Sequence, residues 1–116
     1  MEETTKRAAL VTGSNRGIGR AVAERLARDG FDVCVNCSSE ASLPSAQELA
    51  DQLEREYGVR AVAVAANVAD PAAASALVDA AMEAFGRLDV LVNNAGITRD
   101  GLLARMKDED FDAVLD

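Results

Sequence analysis

Ala8-Ala9-Leu10-Val11-Thr12-Gly13-Ser14-Asn15-Arg16-Gly17-Ile18-Gly19 is the most informative stretch of the chain. The four apolar residues that open it form an uninterrupted run, as in a parallel strand buried on both faces. Three glycines then fall in the turn that leads into a helical pattern. Gly13 suits the positive φ of a tight turn, Gly17 lets a phosphate approach the backbone, and Gly19 lets the helix pack closely on the strand. A helix that starts here points unpaired amides and a partial positive charge at the turn, a seat for a pyrophosphate. No Lys-Ser or Lys-Thr pair follows the glycines, which excludes a P-loop.

Working outward, short apolar strands alternate with amphipathic helices. Residues 17–29 place Ile18, Ala21, Val22 and Leu26 at helical spacing, with Gly30 where a C-terminal cap belongs. Residues 33–36 form a second strand. A second helix over 44–57 carries Ala46, Leu49, Ala50, Leu53 and Tyr57 on its stripe and ends at Gly58. A third strand covers 60–66. Asp70 and Pro71 then open a third helix as N-cap and first helical residue. Its stripe is Ala74, Leu77, Val78, Ala81, Met82 and Phe85, stopped by Gly86. Residues 88–92 read as a fourth strand and 97–103 as a loop. A further helix is expected from Lys107, carrying Phe111, Val114 and Leu115.

This alternation predicts an α/β fold, the first half of a Rossmann-like doubly wound parallel sheet with strand order 3-2-1-4 and helices on both faces. No repeat or linker interrupts it, so residues 1–116 read as one partial domain whose second half is absent. The fourth strand is then expected to be an open apolar edge, a template for self-association.

The chain's 116 residues leave room for a single core. A net charge of −8, from 12 basic and 20 acidic residues, argues against a nucleic-acid or anionic-membrane surface as the main role. Histidine is absent, which removes His-based triads, imidazole proton shuttles and His zinc ligands. The N-terminus lacks an apolar signal region, and no run approaches the ~20 apolar residues of a membrane span, so a cytoplasmic location is expected. Cys34 and Cys37 form a C-x-x-C, but within a strand, where residues three apart face opposite sides. Two reduced thiols, rather than a redox pair or metal site, are expected.

A second motif, Asn93-Asn94-Ala95-Gly96, follows the fourth strand. With Thr12-Gly13-x-x-x-Gly17-Ile18-Gly19 it makes the chain resemble the short-chain dehydrogenase/reductase family from Arg7 onward. Within that family, residues 93–103 and 105–109 look most like the 3-oxoacyl-[acyl-carrier-protein] reductases of fatty-acid synthesis; acetoacetyl-CoA reductases share part of the run. The resemblance implies hydride transfer from a nicotinamide cofactor to a 3-oxoacyl thioester, carried by acyl carrier protein or CoA, in a homo-oligomer, typically a tetramer.

The end of the second strand selects the cofactor. An NAD site places Asp or Glu there to hold the ribose hydroxyls. Here Cys37 stands in that position, followed by Ser38 and Ser39, with no acid before Glu40. Arg16 offers a guanidinium to a 2′-phosphate, so NADPH is expected. By resemblance Ser14, Asn15 and Ile18 belong to the pyrophosphate turn, and Asn67 with Val68 borders the adenine. Asn94, Ala95 and Gly96 border the ribose and nicotinamide, while Asn93 ties neighbouring strands.

The family's catalytic Tyr is followed four residues later by Lys, and a Ser polarises the carbonyl. The one tyrosine, Tyr57, is followed at that spacing by Ala61 and lies on a core stripe. No catalytic residue is therefore expected within these 116 residues, and the chain alone is expected to be inactive. A fragment of another short-chain dehydrogenase, or a non-catalytic nucleotide-binding or assembly module, is the alternative. Arg99, Arg105 and Lys107 are the basic residues available to dock an acidic carrier.

Overall fold

The computed structural model describes residues 6–94 and the backbone of 112–115. The elements are β1 (Ala8–Val11), α1 (Gly17–Arg28), β2 (Asp32–Cys37), a 3-10 turn (Glu40–Ser42), α2 (Leu43–Tyr57), β3 (Ala61–Ala65), α3 (Pro71–Phe85), β4 (Val90–Asn93) and β5 (Asp112–Leu115). The strands pair in parallel in the order β3-β2-β1-β4-β5. The expected 3-2-1-4 order is present, with one strand added beyond it.

That added strand corrects the sequence reading. The pattern from Lys107 predicts a helix through Val114 and Leu115, yet Asp112–Leu115 runs along β4, with Leu91 opposite Ala113 and Asn93 opposite Leu115. An unpaired strand edge presents a row of N–H and C=O groups, and pairing them outweighs a weak local helical preference. β4 is consequently not the open edge expected of it. The loop expected over 97–103 and the first part of the expected helix, 107–111, lie outside the described residues.

Burial follows from the parallel sheet. Every residue of β1 and β2 is buried, because helices cover both faces. On one face Val11, Val33, Val35 and Cys37 pack with Ala23 and Ala27 of α1 and with Ala46, Leu49, Ala50 and Leu53 of α2. On the other, Ala8, Leu10, Cys34 and Leu91 pack with Ala74, Leu77, Val78, Ala81 and Phe85 of α3. Cys34 and Cys37 thus enter opposite cores, both as free thiols. Burial pushes the Cys34 thiol up to about 12 and raises Cys37 as well.

The stripes of all three helices need correction, at four residues. In α1 the buried row is Gly19, Ala23 and Ala27, while Ile18 is 71% exposed and Ala21 faces solvent. A helix lying close on a sheet takes its smallest side chains at the contact, and the bulkier Val22 and Leu26 flank it, half-buried. Met82 is exposed at the margin of α3. Tyr57, in the last turn of α2, is also exposed rather than in the core.

The N-terminal ends of the strands are closed by ion pairs. The buried Asp32 carboxylate accepts from Arg60 N at 2.9 Å, Nη2 at 3.1 Å and Nε at 3.2 Å. Asp89 accepts from Arg87 Nη2 at 2.6 Å and Nε at 2.8 Å, and from Ala8 N at 2.9 Å. Arg60 also lies over the Phe85 ring, 5.4 Å from its centroid.

Candidate functional site

All the predicted site residues that the structure describes lie at the other end, where the strands terminate. Val11, Cys37, Ala65 and Asn93 close β1, β2, β3 and β4, and the strand order reverses between β2-β1 and β1-β4. A crevice outside the carboxyl ends at such a reversal is where doubly wound sheets bind ligands.

The glycine turn leaves β1 and is held from three sides. Thr12 is fully buried; its N–H donates to Val92 O at 3.1 Å, and its Oγ1 accepts from Asn94 N at 2.9 Å. Asn94 Nδ2 donates to Gly13 O at 3.0 Å, so this side chain ties β4 to the turn. Asn93, expected to tie neighbouring strands, is buried at the end of β4. Ser14, also buried, donates from Oγ to Val11 O at 2.7 Å and from N to Asn36 O at 2.8 Å. Asn15 Nδ2 reaches Ser45 Oγ of α2 at 3.3 Å.

The start of α1 is left open. Its N-cap is Arg16, whose side chain caps nothing, and the first turn carries no acid. By contrast α3 is capped by Asp70, which accepts from Ala72 N. Among the described residues the first-turn amides of α1, at Gly17, Ile18 and Gly19, have no partner and are available to an anion. Gly17 has φ +64°, and among the described residues a Cβ there would meet nothing within 4 Å. At Gly19 a Cβ would strike Gly13 O and come within 2.5 Å of Asn94 Nδ2 and 2.9 Å of Ser14 Cα. Gly19 is what allows the helix to start against the turn.

Arg16 is exposed, and among the described residues its guanidinium makes no ion pair or hydrogen bond. Arg20, Arg25, Arg60 and Arg87 are each engaged with a carboxylate. Cys37 is buried, its thiol donating to Ser39 O, and Ser38 and Ser39 are exposed beyond it. The β2 end thus presents neutral hydroxyls up to Glu40. Asn67 follows β3 and turns on itself, Oδ1 accepting from Ala69 N at 3.1 Å. Val68 packs half-buried against the α3 side of the core. Ala95, Gly96, Arg99, Arg105 and Lys107 lie outside the described residues. Tyr57 precedes Gly58, whose carbonyl accepts from Lys6 just before β1, and so sits at the opposite end of the sheet.

Asn36 is the residue sequence reasoning missed. Its side chain is buried and bonded to Gly13 N, Cys37 O, Val64 O and Ala66 O. The available signal is an amide between Val35 and Cys37 in an otherwise apolar run from Val33, since a polar group buried between two helical layers has to find partners.

A parallel doubly wound sheet with an uncapped, glycine-lined helix start at its reversal is a dinucleotide-binding architecture. A family model for short chain dehydrogenases matches residues 7–116, and the chain belongs to that family. It is 46% identical over 110 residues to the 3-oxoacyl-[acyl-carrier-protein] reductase FabG of Staphylococcus aureus, covering 95% of this chain and 44% of that protein. The 3-oxoacyl-[acyl-carrier-protein] reductase of Synechocystis is 47% identical over 119 residues, covering the whole of this chain and 46% of its relative. Among solved structures, an acetoin dehydrogenase from Enterobacter cloacae superimposes with a TM-score of 0.71 at 39% identity, covering 84% of this chain and 37% of that one. A 7α-hydroxysteroid dehydrogenase complexed with NADH and 7-oxo glycochenodeoxycholic acid gives 0.70 at 32% identity, covering 78% and 34%. The chain spans under half the length of these curated relatives.

Proposed function

We propose that these residues form the NADPH-binding half of a reductase that converts a 3-oxoacyl thioester, carried by acyl carrier protein, to the 3-hydroxyacyl form. The observation that carries this reading is the pairing of Arg16, unengaged among the described residues at the start of α1, with a β2 end that has no acid before Glu40. A carboxylate there would favour free ribose hydroxyls and repel a 2′-phosphate; Ser38 and Arg16 instead suit the phosphate. The nicotinamide supplies the hydride when bound. The residues here bind and orient: the amides of Gly17, Ile18 and Gly19 take the pyrophosphate, and Asn67 and Val68 border the adenine. Asn94, Ala95 and Gly96 flank the ribose and nicotinamide.

No Tyr with Lys four residues on exists in these 116 residues, so proton donation to the carbonyl is assigned to sequence outside them. The same reading makes the whole reductase a cytoplasmic homo-oligomer, and a CoA-linked substrate is the competing thioester. Among the described residues no helix is long and apolar enough to cross a membrane.

The test is a parallel titration of the chain with NADPH and NADH, followed by cofactor fluorescence; the chain contains no Trp to interfere. Saturable binding that favours NADPH is the expected outcome, and equal or NADH-favouring binding overturns the assignment.

A further inference from the structure

Asn36 adds side-chain bonds between the glycine turn, β2 and the end of β3, beside the backbone ladder that pairs the strands. Its Oδ1 accepts from Gly13 N at 2.9 Å. Its Nδ2 donates to Cys37 O at 3.0 Å, Val64 O at 3.1 Å and Ala66 O at 3.2 Å. Its own N–H donates to Ser14 Oγ at 3.0 Å and its carbonyl accepts from Ser14 N at 2.8 Å. The orientation of the amide is dictated by chemistry: three carbonyl oxygens can only accept and Gly13 N can only donate, so the nitrogen faces β3 and the oxygen faces the turn. The residue is 1% exposed.

The consequence is a division of labour within the glycine turn. Gly13 N–H is already bonded and is not available to a ligand, whereas the amides at the start of α1 are open. The same side chain grips Ala66 O, one residue before Asn67. It therefore links the pyrophosphate turn directly to the segment assigned to the adenine, in addition to the backbone bonds of the sheet.

We propose that Asn36 is a positioning residue of the dinucleotide site, which it serves without touching the ligand, by fixing the Gly13–Ser14 backbone against the end of β3. This inference rests on the cofactor reading above. Pre-set donors bind more tightly than donors that must be ordered on binding. Loss of the clamp should thus weaken the adenine half of the cofactor selectively.

The experiment compares wild type, Asn36→Leu, Asn36→Asp and, as a control destabilised at the far end of the sheet, Asp32→Ala. Asn36→Asp keeps the acceptor for Gly13 N and replaces the donor toward β3 with a second acceptor. Each folded variant is titrated with 2′,5′-ADP and separately with reduced nicotinamide mononucleotide, well below its melting temperature. The expected result is a loss of about tenfold in 2′,5′-ADP affinity for both Asn36 variants, the scale of one unmade hydrogen bond. The mononucleotide should change less, and Asp32→Ala should leave both affinities as in wild type. Unchanged 2′,5′-ADP affinity in the Asn36 variants, or an equal loss in Asp32→Ala, overturns the proposal and leaves the cofactor reading standing. A wild-type chain that is folded yet binds neither NADPH nor 2′,5′-ADP overturns both. Amide exchange on the wild type decides the matter even where a variant does not fold. Gly13 N–H should be protected in the free chain and unchanged by cofactor; protection that appears only with cofactor overturns the clamp.

Discussion

At the N-terminal ends of the strands, Asp32 and Asp89 turn their oxygens to Arg60, Arg87 and the amides of Arg60 and Ala8. At the C-terminal ends the buried polar groups are neutral, namely Thr12, Ser14, Asn36 and Asn93, and Arg16 stands without a partner among the described residues. One end has matched its own charges. The other has tied its backbone with uncharged side chains and kept a cation and a set of amides in reserve. Closing charges on themselves favours the fold and offers nothing to a ligand. Leaving donors open does the reverse, and a short-chain dehydrogenase needs both on one sheet.

Gly19→Ala should break the contrast most severely. Two of the three atoms its Cβ would meet are backbone atoms of Gly13 and Ser14, which cannot rotate away. We expect about 3 kcal/mol of lost stability in a urea melt, together with loss of cofactor binding, because relief requires moving α1 off the turn. A melt within experimental error of wild type would show that the turn is not closely packed.

Asp32→Ala attacks the closed end. It leaves Arg60 N without its acceptor and removes a charge-assisted pair, but Arg60 is 61% exposed and recovers water. A loss of about 1–2 kcal/mol is expected, with dinucleotide affinity unchanged. An affinity change as large as that of a site variant would mean the two ends are coupled.

Arg16→Ala sharpens the comparison from the other side. Since the guanidinium holds nothing in place among the described residues, stability should move by no more than about 0.5 kcal/mol. NADPH affinity should nevertheless fall by about tenfold or more while NADH affinity stays level, through loss of one charge-assisted contact to phosphate. Equal losses for the two cofactors would remove Arg16 from the specificity role.

The smallest effect concerns pH. Hydrogen bonds from Arg87, and secondarily from Ala8 N, hold the Asp89 carboxyl below its ordinary value of 3.8, against an opposing contribution from burial. A carboxyl depressed in the folded state binds fewer protons than in the unfolded chain. Its stabilising contribution is therefore complete above pH ~4 and is lost as pH falls through the folded pKa. In Asp89→Asn the acid limb of the stability curve should flatten; an unchanged limb would put the acid sensitivity elsewhere.

Much of this molecule is written locally. Uninterrupted apolar runs, glycines at helix ends and Asp70-Pro71 before α3 report on a residue's own backbone and near neighbours, so the strands, helices and glycine turn are legible in order. Period alone shows that a helix has an apolar face, yet it cannot say which of two adjacent rows lies nearest the sheet. For that reason the spacing points to Ile18 and Ala21, while the row against the sheet is Gly19, Ala23 and Ala27. The strand at Asp112–Leu115 likewise depends on an edge offered by β4, whose location follows from the assembled sheet.

The dinucleotide motif could be read from spacing because its glycines answer to steric demands within a few residues. Asn36 could not be read that way: its partner Gly13 lies 23 residues back, and its partners Val64 and Ala66 lie 28 and 30 residues ahead. Sequence alone therefore named the turn and its class of ligand. The tertiary structure decided which amides are already bonded and which remain open, because hydrogen-bond satisfaction in a buried core is settled by neighbours in space.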